Sequence, residues 1–206
     1  MINRVFIVGV LLLTSLLPAV AEELDTSIDT AVDQVTSLHQ ALNQLNSYAD
    51  RASAYDDLLP IVTSTHDIDY IARFTLHRSW TDLSPGEQAD FTKRFEALSV
   101  WLYIDRFIGT DSVQLSTDSM TAVRTPSIRG NRAQVSTFIT TDSKEIPLEY
   151  SLQQTEDEWR IVNIVADGVS DLALRRSEYT SLIQDSDFEG LITHLDQQIV
   201  DLKDAE

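Results

Sequence analysis

The sequence predicts an α+β domain in which helices pack around a curved, mainly antiparallel sheet of about four strands. Three observations predict it. Apolar residues recur at helical spacing from about residue 26 to Phe107. The period then changes to two between Val113 and Val165. Helical spacing returns after Ala166-Asp167-Gly168 and runs to the end of the chain.

The N-terminus is set aside first. Met1-Ile2-Asn3-Arg4 is short and basic, and Val5 to Leu17 is an apolar run of thirteen residues broken only by Thr14 and Ser15. Pro18-Ala19-Val20-Ala21 supplies small residues at the spacing of a cleavage site, and Glu22-Glu23 follows. This is the pattern of a secretory signal peptide, residues 1–21, with cleavage expected after Ala21. The run is short for a bilayer span, which needs roughly 20 residues. A cysteine for a lipid anchor is absent. Residues 22–206 are then expected to form one domain.

Ile28, Val32, Val35, Leu38, Leu42 and Leu45 define an amphipathic helix over about 26–46. A short helix from Arg51 to Leu59 is expected to stop before Pro60. Asp67 can cap a third, through Ile68, Ile71, Ala72 and Phe74 towards Trp80. Ser84-Pro85-Gly86-Glu87 carries a capping box with proline in the first turn. Behind it Phe91, Phe95, Leu98 and Leu102 form one stripe, broadened by Trp101, Tyr103 and Phe107. So wide an apolar surface suits a helix that packs on one side and faces a cavity on another.

Val113 and Leu115 alternate, as do Val135, Thr137 and Ile139, then Ile146, Leu148, Tyr150 and Leu152. Trp159, Ile161 and Val165 are expected to share a face with Asn163. Turns are expected at Arg129-Gly130-Asn131, Thr141-Asp142-Ser143 and Glu156-Asp157-Glu158. Pro147 argues for an edge position or a bulge. Val169, Leu172, Ala173, Arg176 and Ile183 then predict a helix, and Ile192, Leu195, Ile199 and Leu202 a last one.

Charge and composition narrow the function. The chain has 33 acidic and 15 basic residues, a net charge of -18. Loss of Arg4 with the leader makes that about -19. Such a surface repels phosphate backbones, which argues against nucleic acid as a partner, and it favours a soluble monomer. With no cysteine, disulfide, thiolate and zinc–cysteine chemistry are excluded. Export without disulfides fits a bacterial envelope protein, periplasmic by preference.

Catalytic signatures are sparse. His39, His66, His77 and His194 make no H-E-x-x-H pair and no spaced metal cluster. His66 stands beside Asp67 and Asp69, but Asp67 reads better as a helix cap than as a metal ligand. Neither a G-x-S-x-G elbow nor a P-loop nor a G-x-G-x-x-G motif occurs. Neither a catalytic residue nor a cofactor is therefore assigned. The surplus lies in large apolar side chains, which suit a dry pocket as well as a core.

Several segments together resemble one family. Asp67 to Trp80 resembles its D-x-x-x-x-A-x-x-x-L-G-x-x-W helix. Ser84-Pro85 through Phe91 and Phe95 resembles its S-P-x-x-x-x-x-F-x-x-x-F segment, and Tyr103 matches its tyrosine region. Ile146-Pro147-Leu148-Glu149-Tyr150 is similar to I-P-V-x-Y, and Trp159-Arg160-Ile161-Val162-Asn163-Ile164 to W-K-V-Y-D-V. Asp167-Gly168-Val169-Ser170 with Arg176-Ser177-Glu178-Tyr179 resembles E-G-V-S followed by R-S-Q-F. Gly190-Leu191-Ile192 with Leu195 is loosely similar to the closing G-x-x-x-L-I-x-x-L. The family is MlaC, the periplasmic phospholipid-binding proteins also called toluene-tolerance auxiliary proteins. The resemblance spans about residues 28–200.

It implies a non-catalytic phospholipid carrier with a lipid cavity between helices and sheet. It also implies transfer between an outer-membrane lipoprotein complex and an inner-membrane ABC transporter with an MCE-domain protein, so that outer-membrane lipid asymmetry is maintained. Departures from the pattern are His77 for glycine, Asn163 for aspartate, Asp167 for glutamate and Arg175 for an aromatic residue. A related branch is linked to hopanoid biosynthesis, which leaves a polycyclic cargo open. The candidate pocket residues are Ile71, Phe74, Trp101, Tyr103, Val135, Phe138, Tyr150, Ile164 and Val169, with Arg176 as the polar contact. Strand alternation keeps Val135 and Phe138 off a common face unless a bulge intervenes. Two other readings stay open: a small pocket enzyme built around His77 or a buried aspartate, and an envelope adaptor with a packed core.

Overall fold

The computed structural model describes residues 17–109, 113–115, 127–156 and 158–205. Within them the fold is α+β, with helices on a mainly antiparallel open sheet. The chain begins with α1 (Leu17–Gln44) and a 3₁₀ turn at Leu45–Ser47. The expected cleavage point after Ala21 lies in the first turns of α1, and residues 1–16 of the leader lie outside the described residues. Ala31, Val35, Leu38 and Leu42 are buried along one stripe of α1.

Helix α2 (Arg51–Thr65) is capped by Asp50, whose carboxylate accepts from Ser53 N. It runs through Pro60 instead of stopping before it. Ala54, Leu58, Val62 and Thr65 are buried on one face and hold the helix, while Pro60 and Asp56 are exposed. The carbonyl that loses its partner to the proline is that of Asp56, so water can serve it.

Asp67 caps α3 (Ile68–Leu76) by accepting from Tyr70 N at 2.9 Å. The helix ends earlier than Trp80, because His77 takes φ 52° and ψ −115° and a 3₁₀ turn over His77–Asp82 follows. That backbone conformation favours glycine. Helix α4 (Pro85–Phe107) carries the expected capping box: Glu87 N donates to Ser84 Oγ, and Ser84 N donates to the Glu87 carboxylate.

Six strands form the sheet among the described residues: β1 (Gln114–Leu115), β2 (Ser127–Arg129), β3 (Arg132–Thr140), β4 (Glu145–Thr155), β5 (Glu158–Ala166) and β6 (Val169–Ser170). Only three are long, which is why alternation over short stretches predicted fewer. The order is β1-β3-β4-β5-β6, with β2 also on β3. Pro147 therefore lies on the central strand rather than an edge. It sits beyond the end of the β4–β5 ladder, which starts at Leu148 and Ala166. Its carbonyl accepts from Asp167 N, so its missing N–H points at the β5–β6 turn, where no ladder bond is lost.

The bulge falls on β5 instead. Leu152 pairs with Ile161 but Ser151 pairs with Asn163, leaving Val162 extra. Parity switches there. Trp159 and Ile161, then Ile164 and Ala166, face inward with Leu148, Tyr150 and Leu152; Asn163 and Val165 do not share that face. Val169 belongs to β6, not to a helix. Helix α5 (Asp171–Asp204) follows, capped by Ser170. It is broken at Ser186 and Asp187, the latter at φ 62°. Asp187 then caps the second half by accepting from Gly190 N, so the two helices expected from the spacing are distinct in geometry.

Candidate functional site

A cavity of about 450 Å³ lies between the helices and the inner face of the sheet. Its length follows α4, where Phe95, Leu98, Ser99, Leu102, Tyr103 and Arg106 line it at three- and four-residue steps. The sheet contributes Ile139, Leu148, Tyr150, Ile161 and Ile164. Leu42 of α1 and Leu115 of β1, both buried, line it at the β1 edge of the sheet. A two-point bond holds Leu115 there: Asn43 Nδ2 donates to its carbonyl at 2.8 Å and its N–H donates to Asn43 Oδ1 at 2.9 Å.

At the other end Val169 and Leu174 line the cavity while being 58% and 60% exposed. Large apolar side chains so exposed, continuous with an apolar interior, mark its mouth. Asp171, Arg175 and Glu178 of α5 stand among them, with Arg106 across on α4.

His66, Tyr150 and Arg175 are each held by a polar partner. His66 is pinned where α2 meets α3, because Asp67 N donates to Ile161 O and His66 bridges to Ile161. Its Nε2 lies 3.1 Å from the Tyr103 hydroxyl, and its Nδ1 lies 3.2 Å from Val62 O and 2.9 Å from Thr65 Oγ1. Burial pushes His66 down to about 4, only partly opposed by its bond to Val62 and by Asp171. The ring is neutral near pH 7. Burial also raises the phenols of Tyr103 and Tyr150, which keeps both protonated. Tyr150 is held by His39 Nε2 at 2.8 Å. Arg175 loses solvation on burial, yet the Asp171 carboxylate, 2.7 Å from its Nε, raises it above its ordinary range.

Of the ten candidate residues, Ile71, Tyr103, Tyr150, Ile164 and Val169 line this cavity. Five do not. Trp101 stands one residue off the lining stripe of α4 and stacks on Tyr55 at 4.6 Å instead. Phe74 is 38% exposed on the outer side of α3. Arg176 lies over its ring at 5.4 Å, so the residue that reaches the cavity from that turn is Arg175, one position and about 100° away. Val135 is fully buried beside Tyr150, within the packed part of the sheet. Phe138 pairs with Pro147 on the opposite face, since the β3–β4 register runs without a bulge.

Sequence reasoning missed His66, Arg175 and the mouth residue Leu174 as cavity groups. The signal for His66 was a lone histidine next to a helix cap, which only the β5 contact turns inward. His77 is exposed at the end of α3 and is not among the residues that line the cavity. Asn163 accepts from Ser170 Oγ and Leu172 N, a structural task at the start of α5. Among the described residues no cluster of three or more His, Asp or Glu could hold a metal ion, and no helix is long and apolar enough to cross a membrane.

The family profile described as MlaC protein matches residues 30–197 of the chain. No curated protein matches it significantly. Among solved structures, the chain is similar to a phospholipid-binding protein from Ralstonia solanacearum determined in complex with a phospholipid. The TM-score is 0.67 at 14% identity, covering 87% of this chain and 98% of that one.

Proposed function

Because the chain belongs to the MlaC family, we propose that it is a periplasmic phospholipid carrier. One observation carries the reading: an apolar-walled cavity of about 450 Å³ that opens to solvent between Val169 and Leu174. Acyl chains enter through that mouth and lie along the α4 stripe against the sheet. Burial is worth roughly 0.8 kcal/mol per methylene, so area and shape suffice to hold a chain. The polar end stays among Arg106, Asp171, Arg175 and Glu178, where a lipid phosphate finds cationic side chains. The phospholipid bound to the similar Ralstonia solanacearum protein supports this reading.

The carrier is not a catalyst. Its buried histidine has a low affinity for protons and both ring nitrogens are engaged. The leader of residues 1–21 exports it, and the partners are the outer-membrane lipoprotein complex and the inner-membrane ABC transporter with its MCE-domain protein. Docking to either changes the mouth enough to release cargo, since tight burial alone would trap it.

The test is uptake from phospholipid vesicles by the delipidated protein, followed by separation and phosphorus assay. Lipid is expected to appear on the protein in a fixed ratio. A protein that takes up none would remove the proposal, and preferential uptake of a hopanoid would redirect it.

A further inference from the structure

The carrier reading leaves open which lipids the cavity prefers, and the hydrogen-bond polarity at Tyr103 bears on that. Val62 O can only accept, so His66 Nδ1, 3.2 Å away, carries the ring hydrogen. Thr65 Oγ1, 2.9 Å from the same nitrogen, gives its own hydrogen to Ile61 O at 2.7 Å and so can accept as well. In the neutral ring Nε2 is then a bare lone pair. In that tautomer the Tyr103 hydroxyl, 3.1 Å away, donates to it. That spends the only hydrogen Tyr103 has. Its oxygen makes no other hydrogen bond among the described residues, and the side chain lines the cavity. What Tyr103 offers a ligand is therefore an acceptor.

Arg175 Nε is committed to Asp171 at 2.7 Å. The terminal nitrogens of Arg175 and the guanidinium of Arg106 stay available to phosphate oxygens, but neither bonds the Tyr103 oxygen, and the carboxylates of Asp171 and Glu178 add further acceptors along the lining. Phosphate and ester oxygens of a phospholipid are acceptors too. Set against the Tyr103 oxygen, they leave it unsatisfied, and a buried acceptor without a partner is costly.

Resting on the carrier reading, we propose that the Tyr103 oxygen, fixed as an acceptor by His66, selects lipids that bring an N–H or O–H donor to it inside the cavity. The donor can come from the headgroup, as an ethanolamine ammonium or a glycerol hydroxyl. It can also come from the glycerol backbone, as the free hydroxyl of a monoacyl lipid. Diacyl phosphatidylcholine has neither.

Competition from defined vesicles tests it. The delipidated protein is incubated with vesicles of phosphatidylethanolamine, phosphatidylglycerol and phosphatidylcholine in equal parts with identical chains, and its lipid is quantified by mass spectrometry. A second set offers monoacyl against diacyl phosphatidylcholine. The two donor-bearing headgroups are expected to be enriched about tenfold over phosphatidylcholine in the first set if the headgroup is the source. Enrichment of the monoacyl lipid alone assigns the donor to the backbone. In Tyr103→Phe the enrichment is expected to vanish, read as the ratio between the bound lipids and not as their total. Proportional uptake of all lipids by the unmodified protein overturns the proposal whether or not the variant folds, as does enrichment that survives in Tyr103→Phe. Uptake of no lipid from any vesicle sinks the carrier reading itself, which separates the two failures.

Discussion

Helices α4 and α5 pack against each other and both line the cavity, yet they are built differently. Helix α4 is continuous, starts in a full capping box and buries Phe91, Phe95, Leu98, Val100, Trp101, Ile104 and Phe107. Helix α5 is longer but broken at Ser186–Asp187. Its second half buries Leu191, Leu195 and Ile199, while its first half leaves Leu174 60% exposed at the mouth. The difference separates two tasks. One wall is a core element that also faces a cavity, and its buried residues cannot be truncated without loss of stability. The other anchors itself through Leu172 and Tyr179 but keeps Leu174 at the surface, where that side chain serves cargo rather than the fold.

The largest expected effect tests the first half of that contrast. Phe95 is 2% exposed, stacks with Phe91 and meets Tyr179 edge-on. Phe95→Ala is expected to cost about 3–5 kcal/mol in denaturant unfolding. A loss below 1 kcal/mol would mean that α4 is as dispensable as the mouth.

Next comes pH, through the histidine that anchors Tyr103 of α4. His66 takes a proton near 6.5 when unfolded but near 4 in the fold. Between those values the unfolded chain binds more protons, so stability falls as pH drops through that window. The contribution is present above about 6.5 and lost towards 4, a difference of roughly 3 kcal/mol. Carboxylates titrate nearby, so the measurement is the difference in urea midpoints between the unmodified protein and His66→Gln at several pH values. Parallel curves would contradict the buried, neutral ring.

The mouth gives the opposite signature. Leu174→Glu is expected to change stability by no more than about 0.5 kcal/mol, because the site is exposed. Lipid uptake from vesicles should fall by about tenfold, since a charge would lie against the acyl chain. A large stability loss with normal uptake would reverse the roles given to the two helices. The smallest effect concerns the break in α5. Asp187→Ala removes the cap on Gly190 N and is expected to cost about 1 kcal/mol, read as a small shift in unfolding midpoint.

Much of this contrast is legible in the sequence. The Ser84 capping box, the Asp67 cap, the change of period after Gly109 and the two-helix spacing after Gly168 all rest on local rules, and local rules are what a sequence states directly. The misses share a different cause. Pro60 stays in α2 because a long-range buried face outweighs a local breaker. The inward face of β5 depends on one extra residue, Val162, whose effect exists only against the pairing of β4. Arg175 and Arg176 differ by one step around a helix, and only the packing of α5 on α3 and α4 decides which turns inward. His66 becomes a cavity group through Ile161, far away in sequence.

The central claim is that the cavity carries phospholipid. Gentle purification of the exported protein from envelope extracts, with organic extraction and mass spectrometry of what accompanies it, tests that claim most directly. Phospholipid in a fixed ratio to protein is the predicted result. A lipid-free protein whose cavity stays empty after exposure to membranes would contradict it.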